Sequence, residues 1–446
     1  MHIRRLLPPL AALGCVMALF PTAKGFTLLG GSLDLTQRDF RIFNNFADPE
    51  ANDNQVPDPD FPGATGAELA IWKGVAEWGS RLHGSGGTDP LQTDGIGSGQ
   101  SNFDSFYVGE TDVTGGPNGN IISVLPGISF LHAFVEIPIT DGWRMRFSED
   151  PETWHDGPGP ALTGAEPFDI QGTACHEYGH ALGLGHSPDP NSTMFAALVG
   201  TGVDLRSIES DDIAGVQFLY GAISPTKPGV DTYELNGNLV TLFGENFDPA
   251  NNEVWFSQNI VGGDGTPVKV IGVPSIAGGT MIEVAIPSAA GPGNIAVKTP
   301  GDAFDRLSNP FPFDPTSEPT FQAPIYYGQG TPLGAGPAPG LLLENVPSVS
   351  NGSMDFVLPG GPLFGFGIVF SGPARTNLPI SGGTLLVKGP YRRDAVFAYD
   401  FGAAAVTVPI PPGSMVGMSR YYQVFAADSG SSNIGFTRGL RVTWAP

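Results

Sequence analysis

The segment His176-Glu177-Tyr178-Gly179-His180-Ala181-Leu182-Gly183-Leu184-Gly185-His186 constrains this chain more than any other stretch. In an α-helix, residues four apart lie about 40° apart around the axis, so His176 and His180 face one point in space. Glu177 lies about 100° from His176, close enough to reach a water in the same cleft without becoming a ligand. Two imidazoles leave a tetrahedral ion short of ligands, so the chain must turn sharply and return a third. Gly183 suits the left-handed conformation that ends a helix, and Gly185 loosens the return. His186 then completes three nitrogen ligands for one Zn2+ and leaves a fourth position open, the arrangement of a catalytic zinc. A bare His-Glu-x-x-His pair arises by chance on many amphipathic helices. Three histidines, one glutamate and one glycine at these offsets, in a chain with only seven histidines, are far more specific.

The surroundings supply the elements this segment needs. Ile71, Val75, Trp78 and Leu82 recur at helical steps and predict a helix over 67–82 with one buried face. Asp39 to Phe46 alternates as a strand, and residues 121–125 and 130–137 read as two more. Asp169 is a good N-cap for the histidine helix, which is expected to end at Leu182. A third helix fits Ser210 to Tyr220, with Glu209, Asp211 and Asp212 at its positive end and Gly221 closing it. His83 and His155 fall in loops and are expected to be solvated. Cys175 lies on the side of the helix away from Glu177 and is expected to point into the core.

The histidine segment resembles the metzincin zinc metallopeptidases, and Ser187 after the third histidine is of the matrixin type. Ser192-Thr193-Met194-Phe195 lies where that family's methionine turn is expected, with Met194 beneath the metal. Asp211 to Gly221 looks like the family's closing helix. Leu131-His132-Ala133-Phe134 resembles the edge strand on which such enzymes bind substrate as an added β-strand. The resemblance covers roughly residues 36–221. It implies an α+β domain, a twisted mixed sheet with three helices, in which a zinc-bound water activated by Glu177 hydrolyses peptide bonds. Leu131, Ala133 and Phe195 would touch substrate, and an apolar pocket for the residue after the scissile bond is expected beside Met194 and residues 195–199.

Two departures stand out. Matrixins carry a second, structural zinc; His132 matches one of its ligands, but Arg146 stands where another belongs, with no convincing replacement. Glu149 and Asp150 offer the oxygen ligands calcium takes, although acidic loops are more often simply solvated. The inhibitory prodomain with its cysteine is also missing from the stretch before the first helix.

Downstream of Gly221 the helical pattern gives way to short alternating runs between Gly, Pro and Asn turns. Two all-β sandwich-like modules are expected, at 222–314 and 341–446, joined by a Pro/Gly-rich linker at 315–340. Val240 to Phe247 followed by Glu253 to Phe256 resembles the start of an IPT/TIG immunoglobulin-like domain. Such modules act as spacers or bind a surface, protein or polysaccharide, and Tyr421-Tyr422 reads as core packing before sugar contact. Residues 1–25 have a basic start, an apolar run from Leu6 to Phe20 and small residues up to Gly25, the pattern of a secretory signal. Cys15 also raises a lipoprotein reading, for which Ala12-Leu13-Gly14 is a poor match. No other stretch is long and apolar enough to span a membrane. A net charge of −23 excludes nucleic acid as a partner. The expectation is a secreted enzyme cutting proteins or peptides. The rival is a zinc-containing adhesion scaffold that no longer cuts, against which the intact Glu177 argues.

Overall fold

The computed structural model describes residues 25–446 apart from short stretches, the longest at 84–88, 126–131, 137–142, 150–152, 160–166, 198–201, 259–265 and 320–324. Residues 1–24, where a secretory signal with Cys15 is expected, and Leu131 and Asp150 lie outside the described residues.

Asp39–Phe43 (β1), Phe106–Glu110 (β2), Ile121–Val124 (β3), Ala133–Glu136 (β4) and Arg144–Phe147 (β5) form one sheet in the order β2-β1-β3-β5-β4. The first four in that order run parallel, and β4 joins β5 antiparallel at the rim. Three helices accompany the sheet: Gly66–Ala76 (α1), Ile170–Ala181 (α2) and Ser210–Tyr220 (α3). Phe40 of β1 meets Tyr107, Trp143 and Tyr178, which ties sheet to α2 through one aromatic cluster. A largely parallel sheet must be covered to keep its backbone from water, and here β1 is buried at Phe40 and Ile42.

Helix α1 departs from its expected form. It ends at Ala76, all its residues are buried, and Leu82, 56% exposed, lies beyond it. The close approach of α2 explains the extra burial. A Cβ on Gly74 would fall 2.4 Å from the Gln171 carbonyl oxygen, so glycine lets the two helices touch backbone to backbone.

His83 is not solvated. Phe61 stacks on its ring at 4.5 Å, Trp72 meets it edge-on at 5.7 Å, and it is 3% exposed. Burial pushes the imidazole down to about 4, against the pull of Asp60 and Asp58 toward the charged form. At neutral pH this has no effect on stability. Below about 6.5 the unfolded chain takes up the proton first, so stability falls until about pH 4 and then levels. His83→Phe is expected to remove that slope, about 3 kcal/mol at full extent, in urea midpoints followed from pH 7 to 4. An unchanged slope would show that another group carries the acid sensitivity.

Beyond Tyr220 every element is a strand or a short 3-10 turn among the described residues. Gly229–Asn236 (β6), Leu239–Glu245 (β7), Asn252–Gln258 (β8), Val268–Val273 (β9), Met281–Ala285 (β10), Ala290–Lys298 (β11) and Phe311–Phe313 (β12) form two sheets. One runs β6-β7-β10 with Ser275–Ile276 at its edge; the other runs β9-β8-β11-β12. Val240, Leu242 and Ile282 of the first share a core with Val254, Phe256 and Ile295 of the second. This unit docks on β2: Ser257 donates to the Tyr107 carbonyl at 2.6 Å, and Phe106 packs against Trp255 at 5.8 Å. The buried pair Lys227–Asp104, 2.7 Å apart, fastens the junction.

The C-terminal strands build a nine-stranded antiparallel sheet. Its first edge strand is Ile325–Tyr327, paired with Gly439–Arg441, so part of the expected linker belongs to the sheet. Tyr421 and Tyr422 are 8% and 0% exposed, which assigns them to packing.

Candidate metal centre

Helix α2 is held at both ends. Asp169 accepts the Gly172 N–H at 2.7 Å as N-cap, and its carboxylate also receives the Arg206 Nε at 2.9 Å. At the other end Gly183 has φ +103°, a conformation an L side chain resists, and a Cβ there would meet the Gly31 carbonyl at 2.6 Å. The chain therefore reverses and runs Leu184–Gly185 antiparallel to Thr27–Leu28. Thr27 donates its hydroxyl to the His186 carbonyl at 2.7 Å, fixing the returning strand.

His176, His180 and His186 each present a ring nitrogen, and these three atoms lie within 4.8 Å of one another. Nδ1 of His176 is 2.5 Å from the Thr193 carbonyl oxygen, and Nδ1 of His180 is 2.8 Å from that of Leu184. A carbonyl only accepts, so each Nδ1 carries the proton and each Nε2 keeps its lone pair. His180 Nε2 faces His186 Nε2 at 3.3 Å. Burial, with His180 beside it, pushes His176 down to about 4, and burial lowers His180, so both are neutral at physiological pH. Neutral, convergent, carbonyl-oriented imidazoles are the donor set zinc takes, and they fit it.

Glu177 lines the same cleft. Its Oε2 is buried without a hydrogen-bond partner, and burial pushes the carboxyl up to about 8. An unpartnered buried carboxylate is costly unless something charged or acidic comes to it. The cleft has a volume of about 410 Å³ and is lined by His132 to Val135 and by Phe195, Ala196 and Leu205 beside the histidines. Ala133 and Phe195 are thus brought to the three histidines, with β4 presenting an edge that no described strand covers.

Met194, 1% exposed, lies under the helix. A Cβ on Gly179 would sit 2.3 Å from its sulfur, so the glycine makes room for the methionine. The turn that carries Met194 is held by Asp212 of α3, whose carboxylate accepts the Thr193 N–H at 2.8 Å and the Ser192 hydroxyl. Asp211 accepts the Ser187 hydroxyl at 2.6 Å. Sequence reasoning took both acids for helix-end charges and missed this role. Their position after two polar turns, Ser187 and Ser192-Thr193, was the available signal.

A second cavity of about 490 Å³ adjoins Phe195. Phe195, Ala197, Val203 and Leu205 line it together with Asn191, Ser192, Ser207 and Glu209. Residues 198 and 199 of the expected pocket lie outside the described residues.

Arg146, at the expected position of a second-zinc ligand, is 3% exposed and gives its Nε to Glu136 at 2.6 Å. It also bonds the Ser123 hydroxyl and the Thr114 carbonyl. His132 packs on Phe168 at 4.2 Å. Glu149 accepts the Asp48 N–H at 2.5 Å, which gives that carboxylate a structural partner. Cys175 is fully buried, and burial holds its thiol protonated.

Residues 126–221 match the Matrixin family of peptidases. The chain is 40% identical over 96 residues to matrilysin of Rattus norvegicus, covering 22% of this chain and 33% of that protein. It is 37% identical over 103 residues to matrilysin of Homo sapiens, with 23% and 35% covered. With interstitial collagenase of Equus caballus it shares 30% identity over 186 residues, 41% of this chain and 34% of that one. The chain thus spans about a third of the length of these relatives. No helix among the described residues is long and apolar enough to cross a membrane.

Proposed function

We propose that this chain is a zinc-dependent endopeptidase that cuts proteins outside the cytoplasm. The observation that carries the reading is one cleft holding three convergent imidazoles, a buried unpartnered glutamate and an open strand edge. The match of residues 126–221 to the Matrixin family supports it. His176, His180 and His186 would hold one zinc ion, which would polarise the peptide carbonyl and acidify a water. With the charge of an ion beside it favouring the ionised form, Glu177 would take a proton from the attacking water at its free Oε2 and hand it to the leaving amine. Strand β4, from Ala133 to Glu136, holds the peptide by main-chain hydrogen bonds as an added strand. Phe195 and Leu205 line the same cleft. The all-β units after Gly221 serve as a spacer or as a module that docks on a surface, protein or polysaccharide.

The test is cleavage of a mixed denatured-protein substrate by the purified chain, with and without a zinc chelator. Cleavage abolished by the chelator and restored by zinc is expected. His180→Ala should lose about one zinc equivalent and the activity together, because two imidazoles cannot fill a three-nitrogen site. Bound zinc with no cleavage of any protein or peptide pool would sink the enzyme reading.

A further inference from the structure

We propose a second metal site, formed by Asp53, His155 and Asp156, that takes a divalent transition ion, zinc in the first place. It is separate from the three histidines of α2, and its existence does not depend on the activity proposed above.

One ligand atom from each of these residues lies within 4.8 Å of the other two. Asp53 caps the short 3-10 helix Pro49–Asn52. His155 and Asp156 lie at the end of the two-residue strand Trp154–His155. The two segments are about a hundred residues apart in sequence, yet their backbones are stitched together. Asp156 Oδ2 accepts the Asn54 N–H at 2.9 Å, and Asp48 Oδ2 accepts the Trp154 N–H at 2.8 Å. The scaffold thus exists without an ion.

The second observation is the other oxygen. Asp156 is 4% exposed, and its Oδ1 is buried with no hydrogen-bond partner. Leaving such an oxygen unmatched is costly, and the Asp53 carboxylate beside it adds repulsion that a shared proton or a shared cation relieves. The guanidinium next door does not serve. Arg206 reaches the carbonyls of Pro158 and Gly159, but its charge is committed to Asp89 and Asp169.

His155 decides the class of ion. Its Nε2 lies 3.0 Å from the Gly159 carbonyl oxygen, so Nε2 carries the proton and Nδ1 keeps the lone pair. Calcium and magnesium take oxygen ligands, whereas imidazole with two carboxylates suits zinc and its first-row neighbours. In a zinc tetrahedron, ligand atoms lie about 3.3 Å apart, given bonds of about 2.0–2.1 Å. Asp53, the exposed member, is the one with freedom to close that gap. His155 pairs with Asp169, the cap of α2. An ion here would therefore brace the start of the helix that carries His176 and Glu177.

The test is zinc titration of the metal-depleted full chain by calorimetry, with bound metal counted by mass spectrometry after desalting. The wild type is expected to hold two equivalents, Asp53→Asn one and His155→Ala one. In a His180→Ala/His186→Ala background one equivalent should remain, and adding Asp53→Asn should remove it. That background separates the two sites, so failure of either assignment is read independently. Asp53 is exposed, which keeps its variant free of a folding defect; circular dichroism checks this. If Asp53→Asn holds as much zinc as its parent in both backgrounds, the site does not exist.

Discussion

Glu177→Ala is expected to lower turnover of a denatured-protein substrate by about 10²–10⁴-fold while zinc content stays at the wild-type level. The size of the effect follows from position. Glu177 follows His176 on α2, lines the cleft, and has one oxygen with no partner among the described residues. The donor atoms of the metal cluster belong to His176, His180 and His186, so removing the carboxylate leaves them in place. Their orientation is set by the Thr193 and Leu184 carbonyls, which the substitution does not touch. Glu177→Gln, of the same size, should be as inactive, since an amide cannot take the proton. Retained zinc together with retained turnover would remove Glu177 as the base. Loss of zinc in either variant would mean that the carboxylate is part of the ion's own shell.

Arg206→Met is expected to destabilise the chain by about 3–5 kcal/mol, the usual result of breaking a buried ion pair from one side. Arg206 is 2% exposed; its Nη1 lies 2.7 Å from Asp89, and its Nε and Nη2 grip Asp169. Removing the guanidinium leaves both carboxylates buried without it, and Lys73, 3.8 Å from Asp89, is a poor replacement. Arg206→Lys should recover little, because one ammonium cannot reproduce a fork that spans two carboxylates and two carbonyls. Denaturant midpoints at pH 7 measure the loss. Because Asp169 also caps α2, weaker zinc binding should accompany the lost stability. A shift below about 1 kcal/mol would show the network to be worth no more than a surface pair.

What the sequence disclosed and what it hid divide by range. The bounds of α2 were readable because its stop signals are local: Asp169 caps one end and Gly183 turns the other. The convergence of His176, His180 and His186 followed from spacing alone, since all three lie within eleven residues. The Arg206 network was invisible, because Asp89 lies 117 positions away and nothing local marks a buried arginine. His83 was misread for a related reason. Its neighbours in sequence look like loop, and only the fold brings Phe61 and Trp72 against it. The strand at Ile325–Tyr327 is held by pairing with Gly439–Arg441, a partner more than a hundred residues on.

The Arg146–Glu136 pair puts the β4 rim of the cleft under a different control from the three histidines. Glu136 sits on β4 itself. Burial raises its carboxyl, but hydrogen bonds from Arg146 and Arg144 win and hold it below the ordinary carboxylate range. Such a group stabilises above the pKa of its unfolded state, and the gain is lost as acidity carries it through its folded value. A rim fastened by metal would loosen whenever the ion became scarce. This one is indifferent to metal supply and yields to acid. Emptying the three histidines of an ion would therefore leave the β4 rim in place, ready for the ion's return.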